Sequence, residues 1–310
     1  MAGAFRGSGR LIPALTRIRR PKHDPAMLEP WLGAVDRHVR TAEPLLGDVL
    51  TDYIGEARFG FATIRPALSE LPSGASILEI GAGTLLLSCG LQALGFRTTA
   101  LEPIGVGFSH LDQIRAAVWD FAGRSGCRPE LLDIPAEHLA RDAEFDFAFS
   151  VNVMEHVDDV PLVLRRVWAA LRPGAAYQFV CPNYSFPYEP HFDIPTVFSK
   201  PMTKRLFRRR ILNSRTVIDP EGTWQSLNWI SVGAVRRACR RELGVEPEFD
   251  RHVCYSFVRR AIDDPSFQRR HSPVLRSVCA ALDSVGATKA LKWLPVDIQP
   301  ALSCRVRRSG

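Results

Sequence analysis

One stretch, residues 76–102, constrains the fold more than any other. A short apolar run, Ser76-Ile77-Leu78-Glu79-Ile80, is followed by Gly81-Ala82-Gly83 and then by a helical apolar pattern from Thr84 to Leu94. Gly95 stops that pattern, and a second run, Arg97 to Leu101, ends in Glu102. Strand, tight turn, helix and strand in about 30 residues make a right-handed βαβ unit, which forces a parallel sheet covered on both faces. The alternation continues. A helix near Ser109–Gly123 leads to a strand at Pro129–Ile134, and another strand follows at Phe145–Val151. Asp158 or Asp159 caps the next helix, with Pro161 in its first turn and Arg172-Pro173-Gly174 at its end. Ala176–Cys181 is the fifth strand.

Flanking segments read differently. Residues 25–70 show helical spacing (Leu28, Trp31, Leu32, Val35; Leu45, Leu46, Val49, Leu50), punctuated by Pro30, Pro44 and Pro66. Beyond Pro182 comes a proline- and aromatic-rich loop to Pro195, a basic helix at Met202–Leu212, a segment with Trp224 and Trp229, and a helix at Val232–Leu243. Strands are expected at Val245–Phe249 and within Ile298–Val306. The division is a 1–72 arm and helical cap, a 73–183 core, a 184–244 insertion facing the substrate, and a 245–310 segment completing the sheet.

Composition excludes several classes. With 46% hydrophobic and 24% charged residues, the 310-residue chain is neither disordered nor fibrous. No run approaches the roughly 18 apolar residues that span a bilayer. Seven cysteines are scattered singly, without metal-ligand spacing, so they read as small buried side chains in a reducing compartment, and a cytoplasmic protein is expected. The net charge of +7 is local: six Arg/Lys and no acid lie in 1–23, and seven with no acid lie in 194–218. Such runs suit anionic lipid, a phosphorylated substrate or nucleic acid, or are solvated surface. No RNA-binding signature accompanies them, so nucleic acid is not expected as a partner.

The glycine turn lets a ligand approach the backbone. A phosphate-binding P-loop needs a G-x-x-x-x-G-K-[ST] pattern that is absent. A dinucleotide needs a third small residue where Leu86 stands. A cofactor without phosphate, S-adenosylmethionine, needs neither, but it does need an acid for its ribose hydroxyls. Glu102 stands at the end of the second strand, where that acid belongs.

Glu79-Ile80-Gly81-Ala82-Gly83-Thr84, Glu102, Leu132-Asp133-Ile134, Phe145-Asp146 to Asn152, Met154-Glu155-His156-Val157 and Leu171-Arg172-Pro173-Gly174 resemble the class I S-adenosylmethionine-dependent methyltransferases, most closely the small-molecule branch with the ubiquinone-pathway enzymes. The resemblance covers about residues 74–183. It implies a Rossmann-like, doubly wound α/β fold with a seven-stranded sheet and an antiparallel last strand. It implies that Gly81, Ala82 and Gly83 lie along the cofactor, that Glu79 orients their turn, and that Glu102 and Pro103 hold ribose and adenine. Asp133 and Ile134 would meet the adenine, and Ser150, Val151 and Asn152 the sulfonium end. Leu85 departs from the family, which often has glycine there, and is expected to narrow the space above the methionine moiety.

For the chemistry, His156 is the expected base, with Glu155 and His191 as further catalytic candidates, since an imidazole titrates near neutral pH. Tyr184, Tyr188, Glu189 and His191, on the loop leaving strand five, are the candidate acceptor-binding residues. No metal is assigned, because sequence does not bring Glu155, His156, Glu189 and His191 together. The expected activity is methyl transfer to an oxygen or nitrogen of a small molecule. Rival readings are methylation of a glycan or lipid-linked saccharide at a membrane surface, and a non-catalytic cofactor-binding protein. The basic helix permits peripheral contact with an anionic membrane.

Overall fold

The computed structural model describes residues 25–104, 109–214, 217, 219–270 and 273–310. The first basic run, residues 1–23, lies outside them.

Two helices open the described chain, α1 (Glu29–Ala42) and α2 (Gly47–Glu70). Both bury one apolar stripe at helical spacing: Trp31, Leu32, Val35 and Val39 on α1, and Leu50, Ile54, Phe61 and Ile64 among those on α2. Pro66 lies inside α2 and does not end it. The βαβ series follows: β1 (Ser76–Ile80), α3 (Leu86–Ala93), β2 (Arg97–Leu101), α4 (Ser109–Arg124), β3 (Glu130–Leu132), β4 (Phe145–Val151), α5 (Val160–Ala170) and β5 (Leu171–Pro182). Asp159 caps α5 by accepting from the Leu162 amide at 2.9 Å.

Arg172-Pro173-Gly174 does not terminate α5, contrary to expectation. The helix stops at Ala170 and these residues already belong to β5. Leu171, fully buried, pairs with Phe145, and the register then shifts so that Ala176 pairs with Phe147. Gly174 takes φ 82° in that irregularity, and Arg172 reaches Asp146 at 2.6 Å.

After β5 come a small hairpin, β6 (Tyr188–Glu189) and β7 (Ile194–Pro195), then α6 (Lys200–Leu212), α7 (Pro220–Ser226) and α8 (Val232–Ala238). The helix expected to Leu243 continues past α8 as a π-helical turn and ends at Gly244, φ 69°. A two-residue strand, β8 (Glu248–Phe249), three helices, α9 (Val253–Asp263), α10 (Pro265–Arg270) and α11 (Pro273–Ser284), and β9 (Ala301–Arg307) complete the chain.

The sheet order is β3-β2-β1-β4-β5-β9-β8, with β9 antiparallel to both neighbours. This is the Rossmann-like seven-stranded α/β fold with an antiparallel final strand. Strand β4 feeds both faces: Phe147 and Phe149 pack toward α1–α4, while Phe145 and Ala148 pack toward α5 and α8. Strand order reverses between β1 and β4, which leaves a crevice at their carboxyl ends. All seven cysteines are free and buried. Among the described residues no helix is long and apolar enough to cross a membrane.

Candidate active site

A cavity of about 720 Å³ opens at that crevice, floored by the turn after β1. The amides of Gly81 and Ala82 both donate to the Leu101 carbonyl, at 2.8 and 3.1 Å, so the turn is bound to the end of β2. Gly83 donates to Glu102 Oε2 at 2.9 Å. Gly81 has φ 71°, and a Cβ there would lie 2.3 Å from Val153 Cγ2, so both conformation and space demand glycine. Glu79, buried beneath the turn, accepts from the Ser88 hydroxyl. Burial drives its carboxyl up to about 8. Burial also raises Glu102, against the pull of the Gly83 amide and of Arg115, whose guanidinium lies 3.7 Å away.

Leu85 is left-handed, φ 65°, at the N-terminus of α3. That backbone costs a leucine about 1–2 kcal/mol. Its side chain is fully buried in the core cluster between α1–α4 and the sheet, a contribution of about 1.5–3 kcal/mol that offsets the strain. Leu85 does not line the cavity, so the expected narrowing does not occur.

At the other end of the cavity stand Asn152, His156 and His191. Asn152 leaves β4 in a left-handed conformation, φ 55°, and donates to Glu56 Oε2 of α2 at 3.1 Å. His156 Nδ1 is 2.8 Å from Ser226 Oγ on α7. Burial, reinforced by His191, pushes its imidazole down to about 4, so it is a poor proton acceptor at neutral pH. The edge of one histidine ring meets the other, centroids 5.1 Å apart.

His191 is held from behind. Its Nδ1 lies 2.6 Å from Glu189 Oε1, and Glu189 is completely buried. Glu189 also accepts from the Phe192 amide at 2.9 Å, the His191 amide at 3.2 Å and the Tyr184 hydroxyl at 3.2 Å. Burial opposes its ionisation, but the hydrogen bond and charge of His191 and these amides more than offset it, and its pKa is lowered.

Glu155 completes the cluster. It is fully buried and neither carboxylate oxygen has a hydrogen-bond partner among the described residues. Such a group costs more than 1–3 kcal/mol unless something binds it; burial raises its carboxyl to about 7. One ligand atom each from Glu155, His156 and His191 lies within 4.8 Å of the others. A carboxylate and two imidazoles form a donor set that suits a divalent transition-metal ion. The sequence assigned no metal here because His191 is 35 positions from His156 and comes from a different strand connection.

Several expected contacts fall elsewhere. Ser150 is buried and its hydroxyl lies 2.8 Å from Tyr177 Oη on β5, so it faces the sheet core and not the cavity. Asp133 and Ile134 do not line the cavity; Asp133 instead accepts from the Ile104 amide at 2.6 Å and ties down the segment after β2. Tyr184 is buried against Trp229, ring planes 9° apart, and with Glu189 it supports His191 without lining the main cavity. Tyr188 does border one, next to His191. Glu79, Gly81, Ala82, Gly83, Glu102, Pro103, Val151 and Asn152 all line the main cavity.

Other contributors escaped sequence reading. Tyr53, Glu56 and Gly60 bring α2 over the cavity. A Cβ on Gly60 would lie 2.9 Å from Leu87 and 3.3 Å from Val151, so glycine sets that close approach. Asn228 sews the segment after α7 to the loop after β4: its Nδ2 donates to the Met154 and Val157 carbonyls at 2.7 and 2.8 Å, and its backbone amide to the Glu155 carbonyl. A glycine inside an amphipathic helix was the one local signal for the first; the asparagine carries none.

The methyltransferase domain family model matches residues 56–241. An uncharacterized protein of Mycobacterium tuberculosis is 38% identical over 283 residues, which are 91% of this chain and 96% of that one. A ubiquinone biosynthesis O-methyltransferase of a Methylobacterium species is 31% identical over 129 residues, 40% of this chain and 48% of the relative. A solved S-adenosylmethionine-dependent methyltransferase of Mesorhizobium loti aligns with TM-score 0.45 and 17% identity, covering 79% of this chain and 98% of that one. The matched family model spans the glycine turn, both histidine-bearing segments and the C-terminal part of α2, and the chain belongs to the class I S-adenosylmethionine-dependent methyltransferases.

Proposed function

We propose that this chain transfers the methyl group of S-adenosylmethionine to an oxygen or nitrogen of a small molecule, with His191 as the base. One observation carries the reading: the cavity that begins at Gly81–Gly83 and Glu102 ends at His156 and His191. Glu102 would accept from the ribose hydroxyls, already aimed by Gly83 and Arg115. Pro103 would lie against the adenine, with the backbone of Gly81, Ala82 and Gly83 along the methionine portion and Val151 and Asn152 beside the sulfonium.

The transfer is an in-line displacement. The acceptor's electron pair forms the new bond to the methyl carbon as the carbon–sulfur pair returns to sulfur. The protein's part is alignment, exclusion of water and removal of the acceptor proton. His191 is better suited than His156 to take that proton. Its far side is fixed by an ionised, buried Glu189, which sets the tautomer and stabilises the imidazolium. His156 is desolvated and engaged with Ser226.

The unpartnered Glu155 supports a second reading, in which Glu155, His156 and His191 hold a divalent cation. Such a cation would act as a Lewis acid, lowering the pKa of an acceptor hydroxyl. Equilibrium dialysis against Mn²⁺ and Zn²⁺ tests it: stoichiometric binding lost in Glu155→Gln is expected, and no binding by the native chain removes it.

The outer side of α6 supports contact with an anionic bilayer. Phe198, Met202 and Leu206 are exposed beside exposed Arg205 and Arg209. Salt-sensitive flotation with phosphatidylglycerol vesicles, lost in Arg205→Glu/Arg209→Glu, is the expected result.

The main reading is tested by calorimetric titration with S-adenosylmethionine, followed by radiolabelled methyl transfer to phenols and amines. Absence of cofactor binding would overturn it.

A further inference from the structure

Beyond His191 the molecule stays hollow. A cavity of about 240 Å³ touches Asn152, Glu155 and His191 at one end. Its opposite end is built by Phe59, Val180, Phe257, Arg260 and Ala301, and these five residues also wall a larger cavity of about 650 Å³ between α2 and α9. Glu56, Asn152 and His191 are shared in turn with the cofactor cavity. Three spaces therefore stand in series, with the reacting cluster at the first junction and Arg260 at the second.

The lining of the last space defines what it accepts. Its arginines are satisfied within the protein. Arg58 pairs with Glu29 at 2.7 Å, and Arg259 with Asp263 at 2.6 Å and Asp283 at 3.1 Å. Arg260 pairs with Glu56 at 3.0 Å and Asp264 at 3.3 Å, and its guanidinium lies over Phe59 and Phe267, 4.1 and 4.8 Å from the ring centroids. An anionic ligand would have to break one of these pairs, and a cationic one would have to displace an arginine from Asp263 or Asp264 or His252 from Asp250. A neutral one would not, and it would meet Phe59, Pro66, Val180, Val253 and Phe257.

We infer that the acceptor is a long neutral molecule: its reactive oxygen or nitrogen lies at His191, and its apolar body passes Arg260 into the cavity between α2 and α9. The inference rests on the methyltransferase reading and specifies the substrate class of that site. Arg260 then sets specificity as the flat, ion-paired plate along which the body runs, and α2 serves cofactor and acceptor at once.

The probes are phenol and 4-alkylphenols of increasing tail length, titrated calorimetrically into the full chain with and without saturating S-adenosylhomocysteine. Affinity is expected to rise about fourfold for each methylene that becomes buried, until the larger cavity is filled. Ala62 lines only the larger cavity and is exposed on α2, so Ala62→Trp should fold normally. It should bind phenol and S-adenosylhomocysteine as the native chain does but lose the gain from long tails. Affinity independent of tail length, or a gain that survives in Ala62→Trp, overturns the inference while leaving the methyltransferase reading in place. Failure of S-adenosylhomocysteine itself to bind overturns both.

Discussion

His191 and Glu189 share a 2.6 Å hydrogen bond in which the carboxylate is wholly buried and the imidazole borders both the cofactor cavity and the space behind it. The pair lies two residues apart on a short hairpin, so the carboxylate and the imidazole move together. Replacing Glu189 with glutamine keeps the shape and removes the charge that stabilises the imidazolium. Glu189→Gln is expected to slow methyl transfer to a phenolic acceptor by about 10²-fold while leaving S-adenosylmethionine affinity unchanged. A native rate in this variant would remove His191 as the base.

Glu102 meets the turn after β1 through Gly83 and meets α4 through Arg115. On the proposed cofactor placement, Glu102→Ala removes the hydrogen bonds to the ribose hydroxyls. Hydrogen bonds to a charged group contribute about 1.5–3 kcal/mol, so calorimetry should show S-adenosylmethionine affinity falling about 10- to 150-fold. Unchanged affinity would place the ribose elsewhere.

Burial holds the Glu79 carboxyl at about 8, above the ordinary 4.5. Between those two values the unfolded chain has released a proton that the folded chain keeps. The folded state therefore binds more protons, and this group's contribution to stability declines as pH rises from about 4.5 to about 8. Glu79→Gln carries no such proton. Urea unfolding across that window should show the native chain losing stability relative to the variant; a constant difference would mean that Glu79 is ionised in the fold.

Gly81 and Gly83 both have positive φ, but their surroundings differ. A Cβ on Gly83 meets nothing within 4 Å, whereas one on Gly81 meets Val153 at 2.3 Å. Gly83→Ala should cost only the left-handed penalty, about 1–2 kcal/mol. Gly81→Ala should cost more, because Val153 or the strand end must move as well. Urea midpoints of the two variants measure the difference, and equal values would contradict the close approach.

Much of the fold was legible because it is written locally. Strands β2 and β4 fall on the expected residues, Arg97–Leu101 and Phe145–Val151, since a buried parallel strand announces itself as an apolar run between turn residues. Glu79, Gly81–Gly83 and Glu102 were legible for the same reason: one βαβ unit places them together. Where the local rule failed, a longer-range contact had won. Arg172-Pro173-Gly174 reads as a helix stop, yet β4 captures Leu171 into the sheet. Leu85 reads as an obstruction above the turn, yet core packing draws its side chain away from the cavity.

The sequence by itself determined the α/β order, the glycine turn and the acid after it, because helix and strand periodicity and turn chemistry act over a few residues. Only the tertiary structure decided which side chains meet. Glu56 reaches Asn152 across 96 positions and Arg260 reaches Glu56 across 204. Ser226 reaches His156 across 70. Ser150, at a strand end where cofactor contact was expected, turns into the core to satisfy its hydroxyl on Tyr177. The physical reason is that a polar or charged side chain pairs with whatever group the fold brings within reach, and that group leaves no mark in the residues beside it.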